Sequence, residues 1–502
     1  MSAPEDDLLS SPVFLGPRGE GIDLLAELIN RVLEDHRRYR SERASGVSEA
    51  PLPGPPPTAL TSGLDDLLRR LHATYPYFHP RYAAQMIKDP SVPAVLGYFA
   101  AMLMNPNNHA YEGGPATTEM ELEVVDALLR LAGFEENAWG HLCSGGTLAN
   151  LEALWVVRDT RPEGAVIFSR ASHYSLRRNA TLLRIPRVIE IETDGGFHLD
   201  LNHLETILKK ERAMFVVANA GTTGTGSVDP VEDLIVLRDR YGFHLHVDAA
   251  YGGYARACLR DPSGALLPPE EVRTRCGMSG EVYRHLAALQ AADSLTIDPH
   301  KHGLSPYGAG CILYRDPALK RPLLNNAPYT YHVKERPNLG LITLEGSRPG
   351  AAAAACWLTQ RVIPLDAAGY GAIIGAGMRV ARRLHDRIAE SDVARPLHEP
   401  DLDILCLVRW PGGRGRSTDP SLREIDGATG AVYRRLAVTA AGDSPLLLSR
   451  LLVPADLARR ALGIESEGSE EIQALRLVLM KHWLALPRHA GVLEEIERAL
   501  LG

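Results

Sequence analysis

Cysteine is scarce and scattered: Cys143, Cys258, Cys276, Cys311, Cys356 and Cys406 in 502 residues, with no C-x-x-C pair among them. That spacing argues against a disulfide framework and a thiolate zinc site, so no metal is expected and a reducing cytoplasm is the expected setting. No apolar run reaches the ~20 residues that a membrane span requires. Glu5, Asp6 and Asp7 stand where a secretory leader would be basic. Positive charge is also in deficit, the formal net charge being −8. Binding nucleic acid by bulk electrostatics needs clustered positive charge to displace counterions, so neither nucleic acid nor a membrane is an expected partner. The local cluster Arg37, Arg38, Arg40 and Arg43 reads as a solvated helix face. No repeat of roughly 20 to 50 residues is visible, which sets aside a solenoid.

What is present is an ordinary globular composition, 45% hydrophobic and 23% charged. At about 150 residues per domain, the length predicts two or three packed units. Ile22, Leu25, Leu28, Ile29, Val32 and Leu33 recur at helical spacing, an amphipathic helix that needs a partner surface. Ser45 to Ser62, with Pro51, Pro53 and Pro55-Pro56-Pro57, reads as an extended strap. From residue 118, helix-like stretches (Glu119 to Leu131, Thr147 to Arg158) alternate with short β-rich runs (Ala165 to Phe168, Met214 to Val217, Phe243 to Val247, Ser294 to Ile297). The alternation predicts an α/β protein with a mainly parallel sheet flanked by helices, binding ligands at strand carboxyl ends. In the last quarter Ile404 to Val408 and Leu446 to Leu452 are apolar runs, while Ala474 to Leu486 and Val492 to Leu501 read as helical. Gly412 to Ser421 reads as a mobile loop. The expected division is an N-terminal helical arm and strap (1–115), a large α/β domain (116–385) and a small C-terminal α/β domain (386–502).

Five segments could carry chemistry. Asp298-Pro299-His300-Lys301 follows an apolar run and precedes a glycine-containing turn, Gly303 to Gly308. A lysine there can keep its amine desolvated, which favours the neutral nucleophile; the plain alternative is a lysine reaching for water. Asp248, at the end of Phe243 to Val247, can pair with a protonated pyridine nitrogen and keep the ring an electron sink, with Ala250 leaving room for a flat ring. Its alternative is a helix-capping aspartate. Ser144-Gly145-Gly146-Thr147 precedes a helical run, so backbone N–H groups and a hydroxyl can meet a phosphate. With no G-K-[ST] it is not a nucleotide P-loop. His173 could stack on an aromatic cofactor and shuttle protons, and Thr222 and Thr223 offer hydroxyls; each could equally be structural.

The order of these parts is phosphate loop, stacking histidine, hydroxyl turn, ring aspartate, lysine. In that order the chain resembles the pyridoxal-dependent group II amino-acid decarboxylases, of aminotransferase fold type I, and within them the bacterial tyrosine-decarboxylase branch. The resemblance covers roughly residues 75 to 500. Its carriers are Asn105-Pro106-Asn107-Asn108, Trp139-Gly140-His141 leading into the glycine loop, His246 through Tyr254, Ile297 through Lys301, and Leu344 through Gly350. Gly346-Ser347-Arg348-Pro349-Gly350 is also similar to sphingosine-phosphate lyases, and Arg348-Pro349 stands where tyrosine decarboxylases tend to have Lys-Ala.

The resemblance implies pyridoxal 5'-phosphate linked covalently to Lys301, stacked by His173, paired at its ring nitrogen with Asp248 and packed by Ala250. Phosphate contacts would come from Gly145, Gly146, Thr147 and His300, with Ser347 reaching in from a neighbouring subunit. Thr223 would lie near the cofactor hydroxyl or the substrate carboxylate. Tyr307 or His173 would return a proton to the substrate Cα, and Tyr329 and Tyr331 are candidate lid residues. Tyr75, Tyr77, Phe78, His79, Tyr98, Asn108, His109 and Tyr111 would line a side-chain pocket suited to an aromatic substrate. The implied activity is decarboxylation of an L-amino acid to its amine and CO2. An aldehyde synthase or a carbon–carbon lyase would use the same residues, and a cofactor-free binding protein would need neither Lys301 nor Asp248. An apolar N-terminal helix and a cross-subunit Ser347 predict a homodimer with shared active sites.

Overall fold

The computed structural model describes residues 4–48, 54–325, 331–332, 335–412, 420–437, 446–465 and 469–502. A two-residue strand, β1 (Tyr82–Ala83), precedes seven strands that build the larger sheet. These are β2 (Trp139–Cys143), β3 (Ala165–Ser169), β4 (Val188–Ile191), β5 (Ala213–Asn219), β6 (His244–Asp248), β7 (Ser294–Ile297) and β8 (Gly310–Tyr314). Their order is β2-β8-β7-β6-β5-β3-β4, parallel from β7 through β4, with β8 antiparallel to both β7 and β2. Strands β3, β5, β6 and β7 are buried along their whole length; β3 and β5 accordingly read as apolar runs, whereas β6 and β7 alternate polar residues (His244, His246; Ser294, Thr296) with apolar ones. Because β2, β3, β5, β6 and β7 all run the same way, the segment after each emerges at one edge of the sheet. The five chemistry-bearing segments therefore meet there.

Four further strands follow: β9 (Ala394–Pro396), β10 (Ile404–Arg409), β11 (Leu447–Pro454) and β12 (Glu471–Val478). With β1 they form a second sheet in the order β1-β11-β12-β10-β9, β1 pairing in parallel with β11 through Tyr82↔Leu447. The helix Tyr370–Ala389 runs across residue 385 and buries Val380, Ala381, Leu384 and Ile388 against this sheet. Across the seam between the sheets, Tyr251 Oη donates to Asp403 (2.6 Å), and Arg476 donates to the Thr223 and Gly224 carbonyls (2.7 and 2.8 Å).

Two local expectations are corrected. Ala474 to Leu486 is not a helix: the strand β12 ends at Val478, and a short 3-10 turn, His482–Ala485, follows. Ala474, Leu475, Leu477 and Val478 are all fully buried, and a run apolar on both faces carries no period by which to tell strand from helix. The strap is also shorter than expected, because Thr58–Leu71 is a helix whose first residue follows Pro57. Residues 49–53 and 413–419 of the strap and the polar loop lie outside the described residues, as does Tyr329. Ser421, the last residue of that loop, caps the helix Leu422–Leu436 in a reciprocal capping box with Glu424.

The N-terminal helix Ile22–Arg43 and the helix Thr58–Leu71 bury no residue. Among the described residues no helix is long and apolar enough to cross a membrane, and no cluster of three or more His, Cys, Asp or Glu could hold a metal ion. All six cysteines are free and buried.

Candidate active site

A cavity of about 370 Å³ opens at the carboxyl edge of the larger sheet. The loop after β2 and the start of the helix Gly146–Thr160 contribute Gly145, Gly146 and Thr147; the segments after β3 and β5 contribute His173 and Thr223. Asp248 and Ala250 come from the end of β6, and His300 and Lys301 from the turn after β7. Nine of the eleven residues singled out in the sequence thus share one wall. A second cavity of about 820 Å³ adjoins it, sharing His173, Tyr174, Thr222, Thr223 and Lys301, and it receives Tyr307. Ser347 lines neither cavity; it is exposed and accepts a hydrogen bond from Asn107 (3.0 Å).

Each side chain has a local reason for its pose. Gly146 must be small, since a Cβ there would stand 3.0 Å from Asp298 Oδ2 and 3.2 Å from the Ala250 Cβ. Asp248 accepts from Asn150 Nδ2 (2.7 Å) on one oxygen and from the Ala250 N–H (3.2 Å) on the other. His173 Nδ1 lies 2.7 Å from Ser175 Oγ and accepts from the Ser175 N–H (3.3 Å), which pins the ring through that nitrogen. Burial holds its pKa below the ordinary histidine value, with Lys301 adding to the effect and Asp248 and Asp298 opposing it. Thr223 is fixed through its carbonyl by Arg476. The His300 ring lies 4.7 Å from that of Tyr307, centroid to centroid.

Lys301 departs from expectation. Desolvation alone would favour the neutral amine, but Nζ sits 3.1 Å from Asp298 Oδ2 and feels Asp248 as well. The two carboxylates outweigh burial and hold the pKa above the usual lysine value, so the amine stands as an ammonium before it reacts. Asp298 was visible in the sequence beside the lysine, but three residues of separation in a turn do not reveal which way its carboxylate faces.

Other functional side chains escaped the sequence reading. Asn150 lies one helical turn beyond Gly146 on the same helix, and only the register of β6 against that helix brings it to Asp248. Glu345 accepts from the Ser144 N–H (2.9 Å) and from its hydroxyl, which holds the Leu344–Gly350 segment against the glycine loop. Arg348 anchors that segment from inside, pairing with Glu121 (2.6 Å) at 5% and 2% side-chain exposure. None of the eight residues from Tyr75 to Tyr111 expected in a substrate pocket lines either cavity; Gln85, Met86 and Ile87 do. Tyr331 packs on His109, its hydroxyl 3.2 Å from Nε2.

The residues fit pyridoxal phosphate. Gly145, Gly146 and Ala250 leave a slot without side-chain bulk, Asp248 adds a carboxylate to its lining, and His300 Nδ1 and Asp298 Oδ1 are buried with no hydrogen-bond partner among the described residues. A helix N-terminus with free N–H groups faces the same slot, the usual setting for a phosphate.

Comparison with known proteins agrees with this geometry. Residues 64–407 match the model of the pyridoxal-dependent decarboxylase conserved domain. The L-tyrosine decarboxylase of Enterococcus faecium is 30% identical, over 80% of this chain and 82% of its own. That of Levilactobacillus brevis is 29% identical over 88% of each. Among solved structures, Oryza sativa TDC with PLP and tryptamine superposes with a TM-score of 0.69 at 18% identity, over 95% of this chain and 99% of the other.

Proposed function

The chain belongs to the pyridoxal-dependent decarboxylase family, and from that premise we propose that Lys301 anchors the cofactor while the rest of the cavity wall orients it. The protein is a pyridoxal-phosphate-dependent carboxy-lyase of fold type I that converts an amino acid to its amine and CO2. One observation carries the residue assignment: nine residues from five separate segments line a single cavity, with the Lys301 amine among them.

When bound, pyridoxal phosphate supplies the electron sink that receives the pair left behind as CO2 departs. In this reading Lys301 Nζ is the point of covalent attachment, and Asp298 takes up the proton that the ammonium must lose to become a nucleophile. Gly145, Gly146 and Thr147 hold the phosphate at the helix start, with His300 beside them and Ser347 supplied by a second subunit. His173 and Ala250 would pack against the ring, Asp248 would hold a proton at its nitrogen, and Thr223 would meet the cofactor hydroxyl or the substrate carboxylate. Tyr307 returns the proton to Cα. Its hydroxyl stays protonated and able to donate at neutral pH; partial desolvation and the Asp298 carboxylate shift its pKa upward although the residue as a whole is exposed.

An aromatic or otherwise apolar L-amino acid is the proposed substrate. The larger cavity is walled by Met86, Ile87, Phe197, Leu451, Leu452 and Val453. Its arginines are engaged elsewhere: Arg170 with Glu192 (3.0 Å) and Asp456 (3.6 Å), Arg476 with carbonyls, and Arg450 over the Tyr433 ring. An acidic side chain would find no ready counter-ion. In a panel of amino acids assayed for CO2, amine, aldehyde and peroxide, tyrosine or another aromatic should yield amine and CO2. Turnover of aspartate alone would overturn the substrate assignment, and aldehyde with peroxide in place of amine would overturn the simple outcome.

The proposed assembly is a cytoplasmic homodimer. The exposed leucine face of Thr58–Leu71 and an apolar groove between the helices Val92–Met102 and Gly350–Val362 support it, because a second copy would cover both. The division into an arm (1–115), a cofactor domain (116–385) and a small domain (386–502) that closes the substrate cavity through Ser449–Leu457 and Arg476 belongs to the same reading.

A further inference from the structure

Behind Asp248 lies a set of side chains that no step above uses. Asn150, Ser294, His246, His244 and Thr296 are each at most 2% exposed. They are linked in series: His244 Nε2 to Ser294 Oγ (2.8 Å), Ser294 Oγ to His246 Nδ1 (2.8 Å), His246 Nε2 to Asn150 Oδ1 (3.0 Å), and Asn150 Nδ2 to Asp248 Oδ2 (2.7 Å). Thr296 Oγ1 adds a second donor to Asn150 Oδ1 (2.6 Å).

The direction of every bond follows from one end. An ionised carboxylate can only accept, so the Asn150 amide NH2 faces Asp248 and its oxygen faces inward. His246 Nε2 must then carry a hydrogen. A neutral ring has its other nitrogen bare, so Nδ1 accepts from the Ser294 hydroxyl. That hydroxyl has one hydrogen, and its oxygen therefore accepts from His244 Nε2–H. Both rings are neutral: burial lowers the pKa to about 4 at His244 and, with His244 adding to it, to about 3 at His246. Phe215 stacks on both at 5.6 and 5.3 Å and locks their planes. A chain of neutral groups spanning β6, β7 and the helix Gly146–Thr160 thus points all its donors one way.

We propose that Asn150 is a positioning residue which, backed by His246, Ser294 and His244, presents Asp248 to the cavity solely as a hydrogen-bond acceptor and so keeps the cofactor's ring nitrogen protonated. The inference rests on the reading that Asp248 pairs with that nitrogen. With one donor on each carboxylate oxygen, Asp248 cannot rotate to offer a different face without leaving a buried amide unsatisfied. Its remaining lone pairs are left for a donor in the cavity, and a protonated ring nitrogen supplies one. An unprotonated ring nitrogen would bring acceptor against acceptor. A protonated ring is the stronger electron sink, so a chain that reaches the cavity only through Asn150 and Asp248 would act on the rate through the electronics of the bound ring.

The test uses holoenzyme reconstituted with pyridoxal phosphate labelled with 15N at the ring nitrogen, whose chemical shift separates protonated from unprotonated pyridine. In Asn150→Leu the cofactor should still attach at Lys301, as shown by borohydride trapping. The nitrogen signal should move toward the unprotonated value, and kcat should fall roughly 10- to 100-fold, the range for removal of supporting partners around a site group, with KM nearly unchanged. Ser294→Ala breaks the chain two links back, away from the cavity, and should shift the signal the same way by less; if Asn150→Leu does not fold, this variant decides. Asp248→Asn separates the layers of the argument. If it leaves the signal in place, the pairing of Asp248 with the ring nitrogen fails. If it moves the signal while Asn150→Leu and Ser294→Ala both keep the native shift, the pairing stands and the positioning role is overturned.

Discussion

Behind Asp248, five side chains at 2% exposure or less hydrogen-bond in sequence, whereas along Thr58–Leu71 the leucines Leu60, Leu64, Leu67, Leu68 and Leu71 stand 48% to 63% exposed. The first region is complete within one chain: its donors and acceptors are matched, and a stacked phenylalanine holds its rings. The second leaves unrealised roughly 1.5–3 kcal/mol for each leucine that a partner could bury. Chemistry at the cavity floor demands sub-ångström order that covalent continuity and local packing can supply. An apolar arm gains that stabilisation only where a second surface arrives, so the first region is finished by folding and the second is left open within one chain.

The largest effect expected from breaking the floor is at its covalent anchor. Lys301→Ala should abolish the visible band of the bound cofactor, leave borohydride with no peptide to label, and cost at least about 10³-fold in turnover. Labelling at another position would reject Lys301. Next comes the segment that joins the floor to the subunit surface. Arg348→Ala strands Glu121 as a buried charge without its cation, and the urea unfolding midpoint should drop by the equivalent of about 3–5 kcal/mol; an unchanged midpoint would mean the pair carries no such role. On the arm, Leu64→Glu with Leu68→Glu should convert a sedimenting dimer to monomer and reduce activity, while the isolated chain keeps its melting profile. A variant that stays dimeric would place the interface elsewhere.

The smallest effect near neutral pH is a pH dependence of opposite sign at two histidine sites, one buried and one half-buried. His244 and His246 have folded pKa values pushed down to about 4 and about 3, from an ordinary 6.5, by burial. The unfolded chain therefore binds protons that the folded floor refuses. Stability should fall as pH drops below 6.5, by about 1.4 kcal/mol per pH unit per histidine, until the folded values are reached. At the seam, His198 lies 2.8 Å from Asp401 and 3.3 Å from Asp194. Burial alone would lower its pKa, but the two carboxylates raise it to about 11. Its contribution is full below pH 6.5 and fades as pH rises toward 11. Denaturant midpoints across this range should show both slopes, and His198→Gln should flatten only the alkaline one.

Legibility in the sequence followed the range of the interactions. The glycine loop, Asp248 and Lys301 could be found because each motif is local and directly follows a short β-rich run. β12 was misread because its second half, Ala474 to Val478, is buried on both faces and carries no period. Asn150 stands three residues beyond the quoted loop, yet its role depends on a contact with a residue 98 positions away. Likewise the expected pocket residues Tyr75 to Tyr111 line neither cavity within one chain, because β1 turns into the smaller sheet and presents Gln85, Met86 and Ile87 instead.

By itself the sequence determined which functional groups this protein possesses and in what order they occur, because side-chain identity and strand-terminal placement are local properties. The tertiary structure alone decided how those groups are charged and aimed: an ammonium at Lys301, neutral rings at His244 and His246, and a one-way chain into Asp248. Protonation and hydrogen-bond direction depend on burial and on neighbours brought in from distant segments, and no spacing along a chain encodes them.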